Sequence, residues 1–223
     1  MANRNTTPDP AQPPPSGTWP EDRAPGVGPW IGPWPDDPRF DQRLLADGDR
    51  RNVQDRYRYW SLEAIQADLT QRAQPFHVAI ENWEHDFNIG AIVRSANAFG
   101  AAGVHIVGRR RWNRRGAMVT DRYLTVHHHP TVADLVSYAA AAGLVIVGID
   151  NLAGAEPLER AKLPRACLLL FGQEGPGLSG QAVGAASYLY EITQYGSTRS
   201  LNAGAAAAIA MYHWALQHAR PGG

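Results

Sequence analysis

The sequence predicts an α/β domain built on a mostly parallel sheet with helices on both faces. From Phe76 onward, short apolar runs alternate with helical patterns, the order that winds a parallel sheet. The run Cys167-Leu168-Leu169-Leu170-Phe171 is unbroken, as a strand covered on both sides requires. A glycine loop from Gly172 to Leu178 follows it, at the carboxyl end of the strand where open α/β sheets hold ligands.

Taken in chain order, residues 1–40 hold 11 of the 17 prolines and three of the seven tryptophans, with hardly any aliphatic side chains. They read as a disordered Pro/Trp-rich tail with one sticky patch, Gly28 to Pro35. Residues 41–75 are charged, carry Tyr57, Tyr59 and Trp60, and show a helical period through Leu62, Ile65 and Leu69. A helical N-terminal extension is expected there. Within residues 76–219, strands are expected near 77–81, 104–107, 145–149, 167–171 and 188–192. Helices fall near 89–100, 131–142 and 179–186, and a long one begins near 201. Gly100 and Gly103 would close the first of these helices.

A chain of 223 residues, 44% hydrophobic, can bury one sizeable core. Its single cysteine, Cys167, allows no disulfide within the chain and fits a reducing, cytoplasmic setting. No apolar run is long enough to span a membrane, and the start lacks the basic-then-apolar order of a signal peptide. Basic and acidic residues balance at 21 each, so a polyanionic partner must show itself locally. It does so between Asn88 and Thr125, where seven arginines meet one acid, Asp121. Arg109, Arg110, Arg111, Arg114, Arg115 and Arg122 suit RNA phosphates, and Trp112 and Tyr123 are placed to stack on bases. His127-His128-His129 lacks a companion cysteine or acid cluster, so these are expected to be pH-insensitive surface or interface residues and no metal is expected.

Three stretches carry chemistry. In the first, Asn88 stands as an N-cap before a helix whose Ile89, Ile92, Val93, Ala96 and Phe99 face the sheet, while Arg94 projects with Gly90, Ala91, Asn97 and Ala98. The second is the glycine loop, where Gly172, Gly175 and Gly177 let backbone N–H groups approach a ligand around Glu174. In the third, Arg199, Ser200 and Asn202, with Gln194 upstream, converge ahead of an alanine-rich helix. Capping explains one of those polar residues and leaves the others for a ligand.

Together the three stretches resemble the SpoU or TrmH class of SPOUT RNA methyltransferases. N-x-G-x-x-x-R stands as Asn88, Gly90 and Arg94. F-G-x-E-G-x-G-L stands as Phe171, Gly172, Glu174, Gly175, Gly177 and Leu178, and S-L-N as Ser200, Leu201 and Asn202. The resemblance covers roughly residues 76–216. It implies a C-terminal trefoil knot, a homodimer with the active site near the subunit interface, and methylation of a ribose 2′-OH in tRNA or rRNA by S-adenosylmethionine. In those terms Arg94, Asn88, Glu174, Ser200 and Asn202 are catalytic. Phe171, Gly172, Gly175, Gly177, Leu178, Ile192, Ser200, Leu201, Asn202 and Ala205 bind the cofactor. The apolar set Ile209, Met211, Tyr212, Trp214 and Leu216 on the last helix offers a dimer surface. Two rivals stand beside this reading. One is a non-catalytic RNA-binding protein on the same scaffold. The other is a dinucleotide-binding oxidoreductase, suggested by Gly172-x-x-Gly175-x-Gly177 and Glu191, although the glycine spacing is reversed from the usual fingerprint.

Overall fold

A computed structural model describes residues 26–84 and 86–219. The chain divides into two compact units, Met1–Ser61 and Leu62–Gly223. The first 25 residues of the expected tail lie outside the described residues.

In the first unit the segment from Gly26 to Phe40 is folded, which corrects the expectation of a tail reaching residue 40. The Trp30 ring stands edge-on to Phe40 at 5.9 Å and to Tyr59 at 5.4 Å. The Tyr59 hydroxyl donates to the Gly28 carbonyl at 2.6 Å, and Val27 bridges to Asp49. Helix α1, Gln42–Asp47, is capped by Asp41, whose carboxylate accepts the N–H groups of Arg43 and Leu44. Asp49 is fully buried and accepts from the Arg51 guanidinium at 2.7 Å and from the Tyr59 N–H at 3.0 Å. Burial pushes its carboxyl up, but those hydrogen bonds outweigh it and hold the group below the usual carboxylate range. This small core rests on aromatic rings, the buried Leu45 and the ion pair of buried Asp49 with Arg51, and with so few aliphatic side chains its composition resembles that of a tail.

The second unit begins with helix α2, Leu62–Gln71, whose Ile65 is buried. The expected extension at residues 41–75 is therefore split between the units. The sheet contains β1 (Gln74–Asn82), β2 (Ala101–Gly108), β3 (Val126–His129), β4 (Val145–Ile149), β5 (Glu156–Pro157), β6 (Cys167–Phe171) and β7 (Tyr188–Glu191). Their order is β3-β2-β1-β6-β4-β7-β5, and every ladder is parallel. Helices α3 (Ile89–Ala98) and α6 (Ala203–His218) cover one face. Helices α4 (Val132–Ala141) and α5 (Gly180–Ala185) cover the other. The alternation of β1 shows the division: Val78 and Ile80 join α3 and α6, while Ala79 joins α4 and α5. Gly100, at φ +69°, turns the chain after α3 as expected. Gly103 instead lies inside β2, where a Cβ would come within 2.9 Å of the His77 ring.

Strands β3 and β5 escaped the sequence reading, β5 because it has only two residues and β3 because it reads Val-His-His-His. The histidines correct a second expectation. His127 and His129 point to one face of β3, where they stack on His105 under Tyr138 of α4. His105 bonds His77 at 2.9 Å through one ring nitrogen and His129 at 2.8 Å through the other. His128 faces the opposite way and meets the Gly108 carbonyl. Burial pushes His77 down to about 4 and His105 to about 2, with neighbouring imidazoles adding to both. Burial also lowers His127 and His129, although the Asp134 carboxylate pulls His129 the other way. Four imidazoles are thus held neutral in the folded state. As pH falls below about 6.5 the unfolded chain takes up protons that the folded chain resists, so stability drops. Thermal melts should show the midpoint falling by several degrees between about pH 7 and about pH 5, and a flat profile would contradict a buried cluster.

Candidate active site

The carboxyl ends of β1, β6 and β4 are aligned, with Ile80 and Ile149 both opposite Phe171. One residue further on, Gly172 starts a loop that doubles back across its own first residue. A Cβ on Gly172 would overlap the backbone of Gly177 and Leu178. Gly175 and Gly177 sit at φ +94° and +72°, which favour glycine. The loop walls one side of a cavity of about 520 Å³, in the range of small-molecule and cofactor sites. Ile149 to Leu152 form a second wall, and Ile192, Gln194 and Arg199 to Ala203 a third.

Two of the lining residues, Glu174 and Asn202, are bridged by Asn88, which does not itself line the cavity. The Asn88 amide donates to Glu174 at 2.6 Å, and the Asn88 oxygen accepts from the Asn202 amide at 2.8 Å. The Asn202 oxygen also caps α6 by accepting the N–H groups of Gly204 and Ala205. Asn88 was expected as an N-cap. It holds that position, directly before α3, with an αR backbone (φ −94°, ψ −13°), but its side chain makes no capping hydrogen bond and joins two other segments instead. Three residues widely separated in sequence thus meet, one from each stretch singled out in the sequence. Arg94 is exposed on α3, with no hydrogen bond or ion pair among the described residues. Phe171, Gly172, Gly175, Gly177, Ile192, Ser200, Leu201 and Asn202 line the cavity. Leu178 and Ala205 do not. Leu178 turns into the core beside α5, and the neighbours Ala203 and Ala206 line the wall in place of Ala205.

The sequence reading passed over several lining residues. Asp150, directly after β4, accepts the Leu178 N–H at 2.7 Å. The Asn151 amide donates to the Arg199 carbonyl and so ties the loop after β4 to the Ser200 stretch. Gln173 accepts the Glu84 N–H at 2.9 Å. Only Asp150 carried a signal, a carboxylate at the carboxyl end of a strand.

The arginine-rich segment is anchored at its root. Buried Asn82 donates to the carbonyls of Arg109 at 2.7 Å and Arg111 at 3.0 Å. Gly90 of α3 lies against the turn Arg114–Ala117, where a Cβ would come within 2.7 Å of the Gly116 and Ala117 backbone. The glycine of the first motif therefore seats the basic loop on the same helix that carries Asn88 and Arg94. Arg114 pairs with Asp121 at 3.3 Å, while Arg109, Arg110, Arg111, Arg115 and Arg122 are also exposed. Trp112 departs from its expected role as an open stacking surface. It packs partly buried against the core, with the Arg114 guanidinium 5.6 Å above its ring.

A profile described as the SpoU rRNA Methylase family matches residues 75–212, which takes in the glycine loop, the Asn88 bridge and the basic segment. The chain belongs to this SpoU family. An uncharacterized tRNA/rRNA methyltransferase of Synechocystis is 34% identical over 164 residues, 70% of this chain and 42% of its own. The tRNA (guanosine(18)-2′-O)-methyltransferase of Escherichia coli is 27% identical over 157 residues, 69% of each chain. Among solved structures, the SpoU methyltransferase AviRb from Streptomyces viridochromogenes, in complex with AdoMet, is 31% identical with a TM-score of 0.57. That match covers 65% of this chain and 58% of AviRb. The chain thus spans less than half the length of the Synechocystis relative and somewhat over half of AviRb. In this SpoU member, Gly90→Val should lift the basic loop from α3 at a cost of about 1–3 kcal/mol. Limited trypsin digestion should then cut faster after Arg114 and Arg115, and an unchanged digestion rate would show that the close approach is dispensable.

Proposed function

We propose that this protein is an S-adenosylmethionine-dependent RNA methyltransferase that methylates a ribose 2′-OH in tRNA or rRNA. The observation that carries this reading is that Asn88, at the start of the helix that presents Arg94 and seats the basic loop, bridges Glu174 and Asn202 of a glycine-walled cavity. The cavity suits the cofactor. Gly172, Gly175 and Gly177 line one wall without a side chain, so backbone can lie against a nucleoside. Gln194, on the opposite wall, carries a buried Oε1 without a hydrogen-bond partner among the described residues, an acceptor open to a ligand N–H or O–H.

When bound, S-adenosylmethionine supplies an electrophilic methyl group already activated on a sulfonium. The chain's own residues then have two tasks, to align the ribose hydroxyl and to dispose of its proton. Alignment can contribute roughly 7–11 kcal/mol in well-oriented systems. The Arg94 guanidinium offers five N–H donors and no acceptor, so it holds a phosphate or polarises the 2′-OH and does not accept its proton. Glu174 is the acceptor within the site, and the Asn88 amide orients its carboxylate. Ser200 and Asn202 line the same cavity. The exposed arginines from Arg109 to Arg122 grip the RNA backbone beside it.

The reading includes a trefoil knot formed by the C-terminal segment and a cytoplasmic location suited to a lone, buried Cys167. It also includes a homodimer. Met211 and Trp214 are fully buried in their own core, so the outward apolar surface of α6 reduces to Ile209, Tyr212 and Leu216. Sedimentation equilibrium at micromolar concentration separates dimer from monomer.

Single-turnover methylation with saturating RNA tests the assignment of roles. Arg94→Ala should lower the rate by about a hundredfold or more while leaving cofactor affinity nearly unchanged. Arg111→Ala should weaken RNA binding in a salt-dependent way and leave the saturated rate nearly intact. A near wild-type rate for Arg94→Ala would remove Arg94 from the chemistry.

A further inference from the structure

Two carboxylates that the proposed reaction does not use flank the glycine loop. Glu81 is the last residue but one of β1 and Asp150 directly follows β4, the two strands on either side of β6. Because Ile80 and Ile149 both stand opposite Phe171, each carboxylate lies one residue further on, flanking Gly172. They take consecutive amides as the loop leaves the site. Asp150 accepts the Leu178 N–H at 2.7 Å, and Glu81 accepts the Ser179 N–H at 2.7 Å.

The spare oxygens are also engaged. The second Glu81 oxygen accepts from the Trp83 indole at 2.8 Å, and the second Asp150 oxygen accepts the Asn151 N–H at 2.8 Å. Glu81 is fully buried, so it has no solvent to fall back on. The space is close too, since a Cβ on Gly177 would overlap the Asp150 carboxylate. Loop backbone and carboxylates are thus fitted to one another on both sides of the strand. Downstream, the Ser179 hydroxyl caps α5, so the held amides end the loop where a helix begins.

We infer that Glu81 and Asp150 are positioning residues, a two-sided clamp that fixes the return of the glycine loop over Gly172 and so sets the shape of the cofactor wall. The inference rests on the reading of this cavity as the S-adenosylmethionine site. The clamp acts through the loop backbone. It should therefore govern cofactor affinity and leave RNA affinity to the basic loop, which is anchored separately by Asn82 and Gly90.

The test compares full-length wild type with Asp150→Asn and Glu81→Gln. Each variant keeps one acceptor oxygen and turns an amide NH₂ toward a group that needs an acceptor. Hydrogen bonds to charged groups are worth enough that the Kd for S-adenosylmethionine, by calorimetric titration, should rise about tenfold or more. The Kd for RNA should stay within about twofold, and KM for the cofactor should rise in step with its Kd. In the ligand-free protein, hydrogen exchange at the Leu178 and Ser179 amides should accelerate in the variants, whatever the cavity binds. Should Glu81→Gln fail to fold, the partly exposed Asp150→Asn still decides the matter. Unchanged exchange in Asp150→Asn overturns the clamp. An unchanged cofactor Kd also overturns it, as does a parallel loss of RNA and cofactor affinity, which would mark a general folding defect. If wild type binds no S-adenosylmethionine but the exchange result holds, the clamp stands as a loop device and the functional reading falls.

Discussion

The absence of a side chain at Gly172 is the constraint on which the site depends. The chain leaves a fully buried strand and has to return over its own first loop residue, and backbone from Gly177 and Leu178 occupies the volume a Cβ would fill. Once that crossing is made, the rest of the wall follows. Gly175 and Gly177 take the positive φ angles the return requires, Leu178 drops into the core, and Ser179 starts α5. One missing methyl group thus converts the end of a strand into a concave, backbone-lined surface.

Helix α3 connects that surface to everything else. Its start holds Asn88 against Glu174 and Asn202, its second residue lies on the basic loop, and its exposed side carries Arg94. Ile89, Ile92, Val93 and Ala96 bury the opposite side completely, so the helix cannot roll to change these relations. A rigid helix with three attachments holds the glycine wall, Arg94 and the basic loop at fixed relative positions. Such placement is what a transfer between two bound partners needs.

The sheet and most of the cavity were legible because they follow from periodicity and from the φ angles glycine permits. The run from Cys167 to Phe171 and the glycines behind it leave few alternatives. What stayed hidden depends on contacts between distant segments. Asn88 looks like a cap until Glu174 and Asn202 are seen to occupy its amide. Nothing near Glu81 in sequence announces the Ser179 amide, which arrives from 98 residues away. His127 and His129 read as surface residues, since nothing local announces that His105 and Tyr138 will cover them. The fold of Gly26 to Phe40 was missed because a core of Trp30, Phe40 and Tyr59 has the composition of a tail.

The central claim is that the cavity between the glycine loop and the Gln194 to Asn202 segment receives S-adenosylmethionine, and backbone amide shift mapping during titration with that cofactor tests it most directly. The account expects the largest changes at Gly172 to Gly177, at Asn151 and Leu152, and at Gln194 to Asn202, with little change on β2 or β3. Saturable binding whose shifts fall instead on β2, β3 or α4, leaving the glycine loop unmoved, would contradict it.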